Sequence, residues 1–339
     1  MLRPPHPRLH RWMSAMLGAL VVVAGCASAP PVQPDIRPSV DPPRAAHTEV
    51  VPIRPVHTRS ADTATGVTVE HLRYPVPGGH PDPHQNWMDL YLPDLTPPPG
   101  PSTRPVRFPL VILLHGGGWQ SRIGASTFSG FSRILAERGL AVLNVEYRRV
   151  GKGGGWPTTF TDVGAAMDHV PAVAARYRQV DASHAVVVGH SAGAQLAVWA
   201  ATRAHLAPGE VGSGPRFRPS RVFSLAGPLD LRRAVALGDH AVIRVLGGTP
   251  GQVPSRYASV DPIENIDPTI PIVVVTGTRD QVVRPELAER YVAADQAVGG
   301  HARLVLLAGQ THSSIVDPRS STFGVLVDEI VQAAGTPAG

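Results

Sequence analysis

The sequence predicts an α/β fold: a mostly parallel central sheet with helices on both faces and a small cap-like insertion. Three observations predict it. Short apolar, largely β-branched runs recur at 109–114, 141–145, 186–188, 222–226, 272–277 and 304–307, as strands buried on both faces require. Helix-forming segments separate them, and repeated strand–helix units place parallel strands in one sheet. The third observation is Gly189-His190-Ser191-Ala192-Gly193, which follows Val186-Val187-Val188 and opens into the small and apolar segment from Ala194 to Ala200. That is a strand, a sharp turn and a helix.

A chain of 339 residues, 43% hydrophobic and 17% charged, can bury one large α/β core or two modest ones. The pattern favours one main domain, from about residue 61 to 339, with no internal repeat. The formal net charge is +5, to which Arg3, Arg8 and Arg11 contribute three with no acid before Cys26. With those set aside the chain is nearly neutral. It has no Lys/Arg block or basic helix, which argues against nucleic acid as a partner.

The start of the chain reads as a leader. Arg3, Arg8 and Arg11 precede an apolar run from Trp12 to Ala24, short of the ~20 residues that span a bilayer, so residues 1–25 are expected to be a secretory signal. The run ends Val23-Ala24-Gly25-Cys26, which resembles the lipobox of bacterial lipoproteins. The resemblance implies lipidation of Cys26 and an extracytoplasmic protein anchored to a membrane; an ordinary signal peptide would instead release it. Cys26 is the only cysteine, so no intrachain disulfide forms. Residues 26–60 hold repeated prolines and few aromatics, the composition of an extended tether.

The globular elements follow in order. Val67 to Leu72 and Trp87 to Leu92 alternate like half-buried strands and are expected to pair antiparallel. Pro75 to Pro83 and Pro93 to Pro109 read as loops, because prolines deny a ladder its donors. His80 and His84 lie in the first of these; without a cysteine or carboxylate at ligand spacing they do not specify a metal site. Pro109 to Leu114 is a buried strand running into His115-Gly116-Gly117-Gly118-Trp119. A helix (Ala125 to Arg138), a strand (Ala141 to Val145), a glycine-rich loop (Gly151 to Gly155) and a helix opened by Pro157 come next. After the elbow, Pro208 to Pro219 is a loop and Val222 to Ala226 a strand. From Leu231 to Pro268 the pattern turns irregular, and this stretch is expected to cap the site. Strands at Ile272 to Gly277 and Leu304 to Leu307 and helices at Pro285 to Ala297 and Thr322 to Ala333 complete the domain.

Three side-chain types then point to one chemistry. A serine hydroxyl is a poor nucleophile near neutral pH and needs a base within hydrogen-bond reach, itself oriented by a carboxylate. Ser191 on the elbow is the candidate nucleophile. Asp280 lies three residues past the strand ending at Gly277, and His312 follows the last strand. All three fall at the carboxyl edge, where open α/β sheets keep their sites, and the order Ser, Asp, His suits this architecture. Asp280 also suits a helix cap before Pro285, with Asp267, Asp317 or Glu264 then the substitute. His190 flanks the nucleophile and is set aside as base. Attack on a carbonyl makes an oxyanion that wants preorganised N–H donors. Gly117, Gly118 and Ala192 are placed to supply them, His115 to brace their loop, and Trp119 to wall the substrate pocket.

These motifs resemble the α/β-hydrolase family, in its branch of hormone-sensitive-lipase-like and bacterial feruloyl-esterase-like esterases. The residues that carry the likeness are His115 to Trp119, Asn144 to Arg149, Gly153 to Asp162, Gly189 to Gly193, Asp280 and His312. Where the hormone-sensitive-lipase pattern continues Leu-Ala-Pro-Glu after the Tyr-Arg pair, this chain has Arg149-Val150-Gly151, so that branch's substrate rules do not carry over. The resemblance implies a Ser191–His312–Asp280 serine hydrolase acting on a small-molecule carboxylic ester without metal or cofactor. Amide hydrolysis, as in arylformamidases or prolyl-oligopeptidase-type enzymes, is the alternative within the class; a non-catalytic binding module on the surface is the alternative outside it. Acyl and alcohol specificity and oligomeric state are not readable from these motifs.

Overall fold

Alternation along the central strands divides the core in two. In the strand Phe108–Leu114, Leu110, Ile112 and Leu114 enter one apolar cluster while Val111 and Leu113 enter the other. The computed structural model in which these strands lie describes residues 48–49, 66–94 and 106–335. The strands in chain order are β1 (Thr48–Glu49), β2 (Val67–Arg73), β3 (Trp87–Pro93), β4 (Phe108–Leu114), β5 (Ala141–Val145), β6 (Val180–His190), β7 (Arg221–Leu225), β8 (Ile272–Gly277) and β9 (Arg303–Leu307). They form one sheet in the order β1-β9-β8-β7-β6-β4-β5-β3-β2. Strand β3 is antiparallel to both β2 and β5, and every other pairing is parallel.

Helices cover both faces. The helix α1 (Ser129–Glu137) packs Phe131 and Leu135 on the face of Val111 and Leu113, joined by Phe323, Leu326 and Ile330 of the closing helix, α8 (Phe323–Gly335). The opposite face takes α2 (Thr158–Arg176), α3 (Ala192–Thr202) and α7 (Pro285–Ala297), through Phe160, Leu196 and Tyr291 among others. Every residue of α3 is buried, in keeping with a segment that is small or apolar nearly all round.

Between β7 and β8 the expected cap consists of short helices: α4 (Leu231–Ala236), α5 (His240–Leu246), α6 (Pro254–Val260) and a 3-10 turn at Pro262–Glu264. Helices of six or seven residues show too little periodicity to stand out in sequence. Of these, α6 is docked on the elbow helix: Gln195 Nε2 donates to Val260 O at 2.8 Å and Trp199 Nε1 to Ser259 O at 3.2 Å.

Three other elements differ from the sequence reading. The helix expected over 125–138 begins as a 3-10 turn, Ala125–Phe128, because Glu146 Oε2 accepts from Ala125 N and Asn144 Nδ2 donates to Ala125 O. Strand β6 starts at Val180, six residues before its apolar run, since Phe108 and Pro109 pair with Val180 and Asp181 before a register shift. Within the segment read as a tether, Thr48–Glu49 pairs with Leu304 and Val305 and covers an edge that would otherwise expose its ladder groups. The signal segment, Cys26 and the rest of the tether lie outside the described residues. Among the described residues, no helix is long and apolar enough to cross a membrane.

Candidate active site

The elbow is enforced by backbone contact. Ser191 adopts φ 56 and ψ −124, a conformation that costs a non-glycine residue strain and that persists only where its surroundings over-determine it. Its amide stays in the sheet, donating to Leu225 O at 2.8 Å, while the chain turns into α3. A Cβ on Gly189 would sit 2.1 Å from Gly193 O, and one on Gly193 would sit 2.1 Å from Leu114 O. The turn is therefore tight enough to exclude side chains on both flanks of the serine.

Loops after β8 and β9 reach the same point. His312 Nε2 lies 2.8 Å from Ser191 Oγ, and His312 Nδ1 lies 2.8 Å from Asp280 Oδ2. Since a carboxylate only accepts, the geometry puts the ring proton on Nδ1 and leaves the Nε2 lone pair facing the serine hydroxyl. Asp280 is itself held: its Oδ1 accepts from Val282 N and Val283 N, both at 2.9 Å. The cap-like turn and the contact with His312 are made by different oxygens of one carboxylate. The other carboxylates considered lie elsewhere, Asp267 with His205 and Arg218, Asp317 with Arg319, and Glu264 with Arg232.

His190, set aside as base, has a structural part that its position in the sequence did not reveal. Its Nε2 donates to the backbone carbonyl of His312 at 2.9 Å, so it holds the loop that carries the second imidazole. Burial, and the proximity of His312, push the His190 imidazole down to about 4. It is thus neutral near pH 7, as a buried donor should be.

The loop after β4 lies beside the serine. Gly117 and Gly118 have φ of 112 and 60, and neither amide donates to another group among the described residues. Ala192, first residue of α3, carries an amide that no carbonyl of its own helix can reach. All three line a cavity of about 900 Å³ together with Ser191 and His312. Trp119 lines it too but is only 2% exposed, its indole packed into the core and Nε1 without a partner among the described residues.

A buried polar network lies under this loop, and His115, expected from the sequence to brace it, is at its centre. His115 Nε2 meets Glu146 Oε1 at 3.0 Å, Tyr147 stacks on His115 at 4.3 Å, and Tyr147 Oη donates to His115 O at 2.7 Å. Arg149 Nη2 lies 3.3 Å from the same Glu146 oxygen and its Nη1 donates to Ile123 O. Burial acts to raise the Glu146 carboxyl, but the hydrogen bond and field of His115 and the Arg149 guanidinium outweigh it and hold it below its ordinary value. The adjacent Arg148 forms a two-pronged pair with buried Asp162, at 2.8 and 2.6 Å. The sequence signals for this scaffold are His115 and the Asn144–Arg149 stretch, whose residue types do not say which partner each meets.

Among the described residues no group of three or more His, Cys, Asp or Glu side chains is gathered to hold a metal ion. The chemistry this arrangement can do is proton transfer from a hydroxyl to an imidazole beside unpaired amides, in a cavity of ligand-binding size.

Comparison with known proteins places the fold and narrows the family. The family model described as BD-FAE matches residues 88–294, which span the sheet from β3 through α7. A probable isoprenylcysteine alpha-carbonyl methylesterase of Oryza sativa subsp. japonica is 27% identical over 267 residues, covering 74% of this chain and 61% of its own length. The chain thus spans about three fifths of the curated relatives it matches. Among solved structures, a truncated carbohydrate esterase from gut microbiota superposes with TM-score 0.65 at 19% identity, covering 82% of this chain and 99% of that one. A bifunctional GH43-CE protein of Bacteroides eggerthii does so with TM-score 0.61 at 25% identity, covering 74% of this chain and 36% of its own. With the sheet order above, these likenesses show an α/β-hydrolase fold.

Proposed function

The chain belongs to the BD-FAE family, and on that premise we propose that it is a serine hydrolase that cleaves small carboxylic esters through an acyl-enzyme intermediate. One observation carries the reading: a single imidazole, His312, lies 2.8 Å from both Ser191 Oγ and Asp280 Oδ2. In the proposed reaction His312 Nε2 takes the Ser191 proton as Oγ bonds to the substrate carbonyl carbon. Asp280 accepts from Nδ1–H throughout and stabilises the imidazolium that forms. The carbonyl oxygen becomes an oxyanion facing the amides of Gly117, Gly118 and Ala192, and losing one such donor typically costs about 10²- to 10³-fold in rate. The intermediate collapses, the C–O bond to the alcohol breaks, and His312 returns the proton to the leaving oxygen. Water, deprotonated by the same nitrogen, then attacks the acyl-serine and releases acid and free Ser191.

Ester substrates are favoured over amides by what the relatives are named for: a methylesterase and a carbohydrate esterase. The test is labelling with a fluorophosphonate followed by peptide mapping and an acyl-chain-length series on nitrophenyl esters. The label should fall on Ser191; a label elsewhere, or faster turnover of N-formyl aryl amides than of acetate and butyrate esters, would overturn the reading.

The proposed setting is extracytoplasmic and membrane-anchored, on the strength of Val23-Ala24-Gly25-Cys26. Cys26→Ser should move the protein from the membrane to the soluble fraction, and membrane retention of that variant would refute the anchor.

A further inference from the structure

The charges around the cavity do not balance. Arg122, Arg244 and Arg284 line it and are exposed, and none has a carboxylate partner among the described residues. They come from three separate places: the segment just past Trp119, helix α5 of the cap, and the residue before α7. The only acid in the lining is Asp239, whose Oδ1 is taken up by Ala241 N and Val242 N at the start of α5. Acids near the rim are also occupied, Glu286 by Arg233 and Asp317 by Arg319. Elsewhere in the fold Arg148, Arg203, Arg218 and Arg290 each meet a carboxylate. An isolated exposed arginine needs no explanation, but three converging on one concave site make a positive field, and a low-dielectric cleft focuses it.

We infer that the preferred substrate carries a carboxylate away from the scissile ester, and that Arg122, Arg244 and Arg284 select for it. This rests on the serine-hydrolase reading above and adds the charge class of the substrate. Guanidinium groups suit the task because they stay charged and match a carboxylate with paired donors. Since the three are solvent-exposed, each contributes modestly, and together they should give roughly a ten-fold preference at low salt.

The experiment compares size-matched esters. For an anion on the alcohol side, 4-acetoxybenzoate is set against 4-acetoxybenzamide; for one on the acyl side, monomethyl adipate against methyl hexanoate. The expected result is kcat/KM about ten-fold higher for the anionic member of at least one pair, mostly through KM, with the ratio shrinking as salt is added. The pair that shows it identifies which side carries the charge. In the triple variant Arg122→Gln/Arg244→Gln/Arg284→Gln the ratio should fall to near one, whereas Arg178→Gln, an exposed arginine remote from the cavity, should retain it. Ratios at or below one for both pairs, or a preference that survives the triple variant, would overturn the inference. To separate this from failure of the hydrolase reading, binding is also measured by calorimetry on Ser191→Ala protein. There the anionic member of at least one pair should bind about ten-fold tighter than its neutral counterpart, and equal binding within both pairs overturns anion selection whatever the turnover data say.

Discussion

On one side of the cavity Ser191 is held at φ 56 by glycines packed against backbone carbonyls, and its two partners arrive on loops anchored by Val282 N, Val283 N and the His190 ring. On the other side α4 and α5 are six and seven residues long and carry side-chain caps. Asp230 accepts from Arg233 N, Asp239 from Ala241 N, and Asp261 from Leu231 N and Arg232 N. The elbow cannot shift without moving the sheet, whereas helices this short owe their persistence to a few polar contacts and to the apolar side chains they bury, Leu231, Val242 and Leu246 among them. The difference teaches a division of labour. Atoms that must meet within tenths of an ångström are fixed by main chain, and the surface that meets the rest of the substrate is fixed by replaceable side chains.

The sharpest way to separate the two regions is Ser191→Ala. It should lower kcat by about 10⁶-fold while leaving the melting temperature nearly unchanged. Residual turnover within a hundred-fold of the parent would break the assignment of chemistry to the elbow.

Glu146→Ala probes the scaffold beneath the glycine loop. It strips a buried carboxylate from His115 and leaves the Arg149 guanidinium, 6% exposed, without its acidic partner. Removing one member of such a buried pair typically costs about 3–5 kcal/mol. Chemical denaturation should show a loss of that order, with kcat falling as the Gly117 and Gly118 amides lose their support. A loss under 1 kcal/mol would mean that the loop is held by its glycine backbone alone.

The smallest effect is a pair of opposed pH dependences. His190 is depressed to about 4 in the fold by burial, so between its ordinary value of about 6.5 and 4 the unfolded chain binds more protons. Its contribution to stability is therefore lost as pH falls through that window. Asp261, in the cap, is raised by burial to about 7 from 3.8, so the folded chain binds more protons between those values and stability is lost as pH rises. Melting temperatures of variant minus parent should thus climb from pH 7 to 4.5 for His190→Gln, and climb from pH 5 to 8 for Asp261→Asn. Two tilts of the same sign would erase the contrast between the regions.

Much of the elbow side was legible because its constraints are local or regular. Val186 to Val188 followed by a glycine-flanked serine announces a strand and a turn within eight residues. Asp280 and His312 stand just past apolar runs whose lengths mark strands. The partners of Glu146 were not legible, since His115 is 31 residues away and the residue types alone do not say which carboxylate meets which base. Nor were the cap helices, whose runs are shorter than the window in which helical periodicity shows.

By itself the amino-acid order determined the alternation of strands and helices, the two-faced core and the edge of the sheet where polar residues collect, because these follow from hydrophobic period and turn chemistry over short spans. The tertiary structure alone decided that His190 carries the His312 loop, that Asp280 caps a turn with one oxygen and meets an imidazole with the other, and that three arginines from separate segments border one cavity. Those are long-range pairings. Their free energy depends on distance and burial after packing, and neither quantity exists until the sheet has closed on its helices.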